Sequence, residues 1–323
     1  MAQFDLPLSE LERYRPDLPV PADFDDFWSR TLADARALAT APTFVPVDNA
    51  LTQVETYDVT FSGFGADPVK AWLHLPVGRE RPLPVVVQYL GYSGGRGLSH
   101  EAGLWPLAGY ANLVVDTRGQ GWGRTAGATS DPGGSGPAAP GYVTRGITDP
   151  QSYYYRRVFT DAVMAVDAVR SHEAIDPTTV VLTGASQGGG IVLAAAALSD
   201  DISAAMPDVP FLCDFPRATT LVDTEPYAEI VTYLRVHRDQ VETVYRTLSY
   251  FDGAVMATRA RGIPALFSVA LMDDTCPPST VYAAHNAWAG RKQIRVYPFN
   301  GHEGGGAEQQ RAQLDWLRAT LAR

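Results

Sequence analysis

The residues best placed to do chemistry form a short glycine-rich segment, residues 184–188, which reads Gly-Ala-Ser-Gln-Gly. This G-x-S-x-G pattern directly follows a strand pattern and directly precedes a helix pattern, which is the context of a nucleophile elbow. The sharp turn of such an elbow exposes the serine hydroxyl at the carboxyl end of a strand, and its glycines allow close approach of the chain. An activated serine attacks carbonyl carbons, so the pattern predicts acyl transfer with Ser186 as the nucleophile.

A serine hydroxyl is a weak nucleophile and needs a base, and three histidines follow Ser186 in the chain. His237 lies among charged residues in a helical pattern, and His285 lies in the middle of another helical pattern. His302 lies in a loop after the last predicted strand, where the base belongs when the chain order is serine, acid, histidine. We therefore expect His302 to accept the serine proton.

The acid that orients the base is expected after the preceding strand, where two aspartates are adjacent. Asp273 and Asp274 both follow the strand pattern at 265–272, and either could accept a hydrogen bond from the ring of His302. Asp273 is preferred because it lies nearer to the end of the strand. Paired carboxylates can also indicate a metal site, but no cluster of ligand residues accompanies them, so we expect neither a metal nor a cofactor.

Two backbone N–H groups are expected to bind the oxyanion of the tetrahedral intermediate. One belongs to Gln187, directly after the nucleophile, and the other should come from the loop after an early strand. That loop, residues 90–97, is rich in glycine, and Tyr92 is the candidate donor. The glycines of residues 118–123 superficially resemble a nucleotide-binding loop, but their spacing does not fit, so we interpret this segment as support for the neighbouring site.

The elements that must position these side chains alternate between strands and helices. Short apolar runs, typical of strands buried in a parallel sheet, occur at 84–90, 111–116, 179–183, 265–271 and 294–298. Helical patterns occur at 154–172, 189–198, 280–289 and 308–321. This order predicts an α/β protein with a mostly parallel, doubly wound sheet.

Further segments precede and interrupt this alternation within what we expect to be a single domain, residues 1–323. Residues 1–50 are expected to form an N-terminal extension whose helix, at 22–39, carries apolar side chains on one face. Residues 211–261 are mostly helical in pattern and lie between two core strands, so we interpret them as a helical insertion over one edge of the sheet. Residues 129–142 are rich in glycine and proline and are expected to form a loop.

The alternating patterns at 54–61 and 69–75 predict a β-hairpin between the N-terminal extension and the rest of the sheet.

The composition excludes several classes of protein. The chain has 323 residues, of which 46% are hydrophobic and 19% charged, so a large core can form and a mostly disordered chain is excluded. Its net charge of −10 disfavours binding to nucleic acid or to an anionic membrane. Two cysteines do not make a disulfide framework. We find neither a signal-peptide pattern nor an apolar run of membrane-spanning length, and we therefore expect a cytoplasmic location.

These segments together resemble carbohydrate esterase family seven, the acetyl xylan esterases and cephalosporin-C deacetylases of the α/β-hydrolase superfamily. The matching pieces follow one another along most of the chain: residues 91–92, 116–121, 145–147, 153–157, 184–189, 271–273, 277–280 and 301–303. The resemblance implies an α/β-hydrolase fold with Ser186, Asp273 and His302 as the catalytic triad. It also implies an oxyanion hole formed by the N–H groups of Tyr92 and Gln187, in agreement with the assignment from position.

The resemblance also implies a serine esterase that forms an acetyl-enzyme intermediate. Its expected substrates are small acetylated carbohydrates, such as acetylated xylo-oligosaccharides, and related acetyl esters such as cephalosporin C. Its expected assembly is a homohexamer whose sites face an inner chamber. One departure concerns Leu90, which stands where the family usually has histidine before Gly-Tyr; this change leaves the substrate preference open. The alternatives are an oligopeptidase-type serine peptidase and a non-catalytic ligand-binding protein on a hydrolase scaffold.

Overall fold

A computed structural model describes residues 3–101, 103–123, 125–133 and 141–322 of the chain. Its centre is one nine-stranded sheet. The strands, in chain order, are β1 Thr43–Val47, β2 Val54–Ser62, β3 Pro68–Pro76, β4 Leu83–Tyr89, β5 Ala111–Val115, β6 Ile175–Ala185, β7 Ile202–Asp208, β8 Ala265–Ala270 and β9 Lys292–Tyr297.

The strands lie in the order β1-β2-β3-β5-β4-β6-β7-β8-β9 across the sheet. β1, β2, β3 and β5 pair in an antiparallel manner, and the remaining neighbours from β5 to β9 are parallel. The mostly parallel sheet and the hairpin of β2 and β3 confirm the prediction. The strands β1 and β7 were not predicted. The sequence of β7 gives a weak strand signal because Ile202 is its single β-branched residue and most of its other residues have low strand propensity.

Helices cover both faces of this sheet, as a doubly wound architecture requires. They are α1 Leu8–Leu11, α2 Phe24–Leu38, α3 Leu104–Leu107, α4 Tyr154–Val169, α5 Gln187–Leu198, α6 Phe215–Leu221, α7 Tyr227–Val236, α8 Val241–Leu248, α9 Gly253–Ala257, α10 Pro278–Ala287 and α11 Gly306–Leu321. The apolar face predicted for the first long helix is buried in α2.

Alternation along the central strand β4 divides the core into two parts. The side chains of Val85 and Val87 pack into the large cluster that includes α4 and α5, whereas Val86 packs with Trp105 of α3 and Leu317 of α11. Successive side chains of a strand point to opposite faces, so a strand in the middle of the sheet is mostly apolar on both faces. The edge strand β9 differs from the expectation of a fully buried run, because its residues alternate between half-buried and exposed.

The segment 211–261 contains the four helices α6 to α9, in agreement with its predicted helical character. Helix α9 packs against α5 and α10 on one face of the sheet, so it forms the crossover layer between the neighbouring parallel strands β7 and β8. Helix α7 extends towards the loop that follows β4, where its Glu229 contacts Tyr92. In the described part of the chain, no helix is both long and apolar enough to span a bilayer.

Candidate active site

The turn between β6 and α5 holds Ser186 in a strained conformation. Its φ of 58° and ψ of −122° lie in a region that residues with a side chain rarely occupy. Two hydrogen bonds keep it there: its N–H donates to the carbonyl oxygen of Asp208 at 3.0 Å, and its own carbonyl accepts from the N–H of Phe211 at 2.9 Å. The predicted nucleophile elbow is therefore present, and hydrogen bonds to neighbouring segments of the chain stabilise its strained backbone.

The two glycines of the elbow are required by close approach of the backbone. A Cβ atom at Gly184 would lie 2.5 Å from the carbonyl carbon of Gly188. A Cβ atom at Gly188 would lie 2.3 Å from the carbonyl oxygen of Tyr89, at the end of β4. Side chains do not fit at either position, which is the physical reason for the G-x-S-x-G spacing.

Three of the predicted side chains converge at the carboxyl edge of the sheet. The Nε2 atom of His302 lies 2.9 Å from the hydroxyl oxygen of Ser186, and its Nδ1 atom lies 2.9 Å from Oδ2 of Asp273. With Nδ1–H donating to the carboxylate, Nε2 carries a lone pair and can accept the serine proton. The His302 side chain is one-third exposed, so a substrate can approach this hydroxyl–imidazole pair from solvent.

Of the two adjacent aspartates, Asp273 is the one placed against the His302 ring. It is completely buried, and its Oδ1 accepts hydrogen bonds from the N–H groups of Thr275 and Cys276, each at 2.9 Å. These bonds orient the carboxylate and leave Oδ2 for the imidazole. Asp274 is half-buried, and its carbonyl oxygen accepts from the hydroxyl of Thr224.

The two other histidines considered as the base have different surroundings. The ring of His237 stacks on Tyr233 with a centroid distance of 4.2 Å. Nδ1 of His285 lies 3.0 Å from Oδ1 of its neighbour Asn286. His302 is the histidine that the structure brings to Ser186.

The loop after β4 and the N-terminus of α5 meet beside the nucleophile. Gln187 is the first residue of α5, and its buried side chain donates from Nε2 to the carbonyl oxygen of Leu90 at 3.2 Å. Gln120 donates to Oε1 of Gln187 at 2.8 Å and accepts from the N–H of Ser93 at 2.8 Å. The segment 118–123 thus ties the loop of Tyr92 to the elbow, which is the supporting role expected for it.

Arg118, in the same segment, is a fully buried cation. Its Nε and Nη2 atoms donate to the two carboxylate oxygens of Asp161 on α4 at 2.6 and 2.8 Å. Nη1 also lies 3.0 Å from Asp67, so the charge is compensated on two sides. A buried guanidinium is tolerated only when it is paired and hydrogen-bonded in this way.

Two buried carboxyl groups near the site were not found from the sequence. Glu229 of α7 accepts a hydrogen bond from the hydroxyl of Tyr92, and burial raises its pKa to about 7. Asp208 at the end of β7 accepts from Gln309 and Gln313 of α11, and burial raises its pKa to about 7 as well. Neither residue belongs to a recognisable motif, so only their contacts in three dimensions reveal them.

Three residues with metal-binding side chains lie close together in the described part of the chain. Ligand atoms of Asp273, Cys276 and His302 lie within 4.8 Å of one another. Asp273 and His302 already bond to each other, and burial raises the pKa of the Cys276 thiol well above its usual value, which disfavours the thiolate that binds metals. The donor set therefore fits the hydrogen-bonded triad better than a metal ion.

Comparison with known proteins agrees with this geometry. The family model for acetyl xylan esterase matches residues 1–320. An acetyl xylan esterase from Paenibacillus sp. R4 has a structure with a TM-score of 0.92 and 40% sequence identity, covering 97% of this chain and 99% of that chain. Acetyl xylan esterase 1 from Thermoanaerobacterium sp. JW/SL YS485 has a TM-score of 0.89 and 32% identity over the same shares of the two chains.

A curated relative extends the comparison to a longer protein. Acetyl esterase Axe7A from Xylanibacter ruminicola is 24% identical over 315 residues, which cover 95% of this chain and 69% of that protein. The nine-stranded sheet with helices on both faces and a serine elbow is an α/β-hydrolase fold, as predicted. On the evidence of the family model and the two solved structures, this chain belongs to the acetyl xylan esterase family.

Proposed function

We propose that this protein removes acetyl groups from small acetylated carbohydrates, with Ser186 as its nucleophile. Membership in the acetyl xylan esterase family makes the chain a carboxylic ester hydrolase that acts on acetyl esters. The observation that carries the mechanism is the hydrogen-bond chain from Ser186 through His302 to Asp273. Its three groups, a hydroxyl, an imidazole and a carboxylate, are the nucleophile, the base and the orienting acid that acyl transfer requires.

In the proposed mechanism the hydroxyl oxygen of Ser186 attacks the ester carbonyl while Nε2 of His302 takes its proton. Asp273 holds the imidazole in the correct tautomer and stabilises the imidazolium that forms. The N–H groups of Tyr92 and Gln187 bind the oxyanion of the tetrahedral intermediate. The alcohol leaves with the proton from His302, and water then repeats the cycle on the acetyl-enzyme and releases acetate.

The substrate class follows from the relatives, which are named for acetyl xylan and acetyl esters. We propose acetylated xylo-oligosaccharides as substrates and cephalosporin C as a further acetyl ester of the right chemistry. Acetate release from a panel of acetylated sugars and from cephalosporin C, with the acyl chain lengthened in parallel on an aryl ester, tests this assignment. A preference for propionyl or butyryl esters over acetyl esters would contradict it.

The nucleophile is tested by Ser186→Ala, which should reduce acetate release from an aryl acetate by about 10⁴-fold or more. Ser203→Ala is the matched control, because Ser203 lies on the neighbouring strand β7 and its hydroxyl donates to a backbone carbonyl away from the triad. Near wild-type activity in Ser186→Ala would refute the assignment.

The two alternative functions, a serine peptidase and a non-catalytic ligand-binding protein, predict different experimental results. A peptidase would hydrolyse amides as well as esters with matched acyl groups, whereas the proposed esterase should hydrolyse the esters and leave the amides intact. A ligand-binding protein would leave Ser186 unlabelled by a fluorophosphonate probe, whereas the proposed elbow should be labelled.

We also propose a homohexamer, as the family resemblance implies, and a cytoplasmic location, as the sequence analysis predicts. Light scattering should then give six times the chain mass of 34.9 kDa, and cell fractionation should recover the protein with the cytoplasmic markers.

A further inference from the structure

Glu229 is a buried carboxylate that reaches the proposed oxyanion loop from a different part of the chain. Only 3% of the residue is exposed. Its Oε1 atom accepts a hydrogen bond from the hydroxyl of Tyr92 at 2.5 Å, and its Oε2 atom accepts from the N–H of Val143 at 2.8 Å. Two donors therefore converge on the two oxygens of one carboxylate.

The surrounding chain is shaped to admit this carboxylate. Gly141 has a φ of +107°, and a Cβ atom there would lie 2.1 Å from Oε1 of Glu229. The N–H of the next residue, Tyr142, donates to the hydroxyl of Tyr92 at 2.5 Å. The Tyr92 hydroxyl therefore accepts one hydrogen bond and donates another, so the group at position 229 must be an acceptor.

Burial of this carboxylate carries a cost that a purely apolar contact would not have. In the part of the chain that the structure describes, Glu229 forms no ion pair, and the guanidinium of Arg145 lies over the ring of Tyr142 instead. Burial accordingly raises the pKa of Glu229 to about 7. Strongly perturbed carboxyl groups of this kind concentrate at functional sites.

The opposite side of the same loop is attached to the elbow. Gln120 bonds both to the N–H of Ser93 and to the side chain of Gln187, and Gln187 bonds to the carbonyl of Leu90. Hydrogen bonds to Gln120 and Gln187 thus fix the backbone on either side of Tyr92, and a hydrogen bond to Glu229 fixes the Tyr92 side chain. Together these bonds restrict both the backbone and the side chain of one residue.

We propose that Glu229 is a positioning residue: it holds the Tyr92 side chain and thereby keeps the Tyr92 N–H group aimed at the oxyanion. The proposal rests on the proposed function, in which that N–H group belongs to the oxyanion hole. It gives helix α7, in the segment 211–261, a part in catalysis without any contact to the reacting atoms.

The test is Glu229→Gln, because the amide keeps one acceptor oxygen but sets an NH₂ group against a second donor. At pH 8, where Glu229 is mostly ionised, kcat for an aryl acetate should fall about 10-fold while KM changes less than about 2-fold. The loss should be smaller than the ~10²–10³-fold loss on removing an oxyanion donor outright. Glu242→Gln, the same change at an exposed position of α8, is the control and should leave kcat unchanged.

Tyr92→Phe provides a second variant that keeps the ring and the backbone N–H but removes the bond to Glu229. It should reproduce the loss in kcat, and the double variant should be no slower than the slower single variant. This variant also decides the question if Glu229→Gln fails to fold. Wild-type kcat in a folded Tyr92→Phe, or losses that multiply in the double variant, would overturn the proposal.

The rate at which a fluorophosphonate labels Ser186 supplies a readout that does not depend on the natural substrate. Labelling passes through a phosphorus centre whose oxygen occupies the oxyanion hole, so Glu229→Gln should slow it by a factor similar to that in kcat. Equal labelling rates in wild type and variant would overturn the proposal. Failure of the wild type to release acetate, with labelling still slowed in the variant, would refute the proposed function and retain the positioning role.

Discussion

Nε2 of His302 lies 2.9 Å from the hydroxyl oxygen of Ser186, although 116 positions separate the two residues in the chain. Ser186 follows β6, and His302 follows β9 by a short loop. Both strands belong to the parallel part of the sheet, so their carboxyl ends lie at the same edge. This common edge is what allows a base encoded far from the nucleophile to reach it.

The adjacent aspartates allow a matched test of the orienting acid. Asp273→Asn should lower kcat for an aryl acetate by about 10³–10⁴-fold, because the amide favours the wrong imidazole tautomer. Asp274→Asn should change kcat by less than about 3-fold, since only Asp273 contacts the His302 ring. Steady-state kinetics of both variants decide between them, and a larger loss in Asp274→Asn would reverse the assignment.

The elbow should tolerate no side chain at Gly188. In Gly188→Ala the new Cβ would meet the carbonyl oxygen of Tyr89 at 2.3 Å, and a backbone atom of β4 cannot move aside cheaply. We expect a loss of about 3 kcal/mol in the free energy of unfolding, measured by urea denaturation. Gly103→Ala is the control, because no atom of the described residues lies within 4 Å of a Cβ there. Equal stabilities of the two variants would contradict the close approach.

The buried ion pair behind the oxyanion loop should be sensitive to the loss of one partner. Arg118→Met leaves the carboxylate of Asp161 buried without its main counter-charge, and we expect a destabilisation of about 3–5 kcal/mol. Arg311→Met removes a solvent-exposed pair with Asp315 on α11 and should leave the free energy of unfolding almost unchanged. Thermal unfolding of both variants measures the contrast. A mild effect at Arg118 would mean that the pair is easily hydrated.

The buried carboxyl groups of the protein should each make a contribution to stability that falls as the pH rises towards neutrality. Burial raises the pKa of Asp208 from 3.8 to about 7, so its contribution is fully present below pH 3.8 and is lost as the pH rises through 7. Asp252 and Glu229 are raised to about 7 as well and act in the same direction.

Asp208→Asn isolates one of these groups. The variant cannot titrate at this position, so its free energy of unfolding should fall less steeply between pH 4 and 7, by up to about 1.4 kcal/mol per pH unit. Asp200→Asn, at an exposed position, should retain the wild-type slope. Chemical denaturation at several pH values gives the slopes, and identical slopes in wild type and Asp208→Asn would refute the assignment of Asp208 as a titrating group.

Local patterns in the sequence were sufficient to predict the elbow and the strand ends that carry Asp273 and His302. The elbow depends on features that span only a few residues: the end of a buried strand, two glycines and the start of a helix. Residues 184–188 and the segments on either side of them therefore display the pattern in the sequence itself. The doubly wound sheet could likewise be predicted, since alternating strands and helices have few compatible arrangements. The preference for Asp273 over Asp274 rested only on distance from the strand end, and their different contacts appear only in the folded protein.

Tertiary structure alone decided the features that depend on packing between distant segments. Glu229 meets Tyr92 across 137 positions, and Asp208 meets Gln313 across 105, and neither pair has a periodicity or spacing that a sequence pattern could reveal. The strand β7 contains a single β-branched residue, and its strand conformation comes from pairing with β6 and β8. The sequence specifies elements through short-range sterics and periodicity, whereas partners across the sheet edge exist only once long-range packing has brought them together.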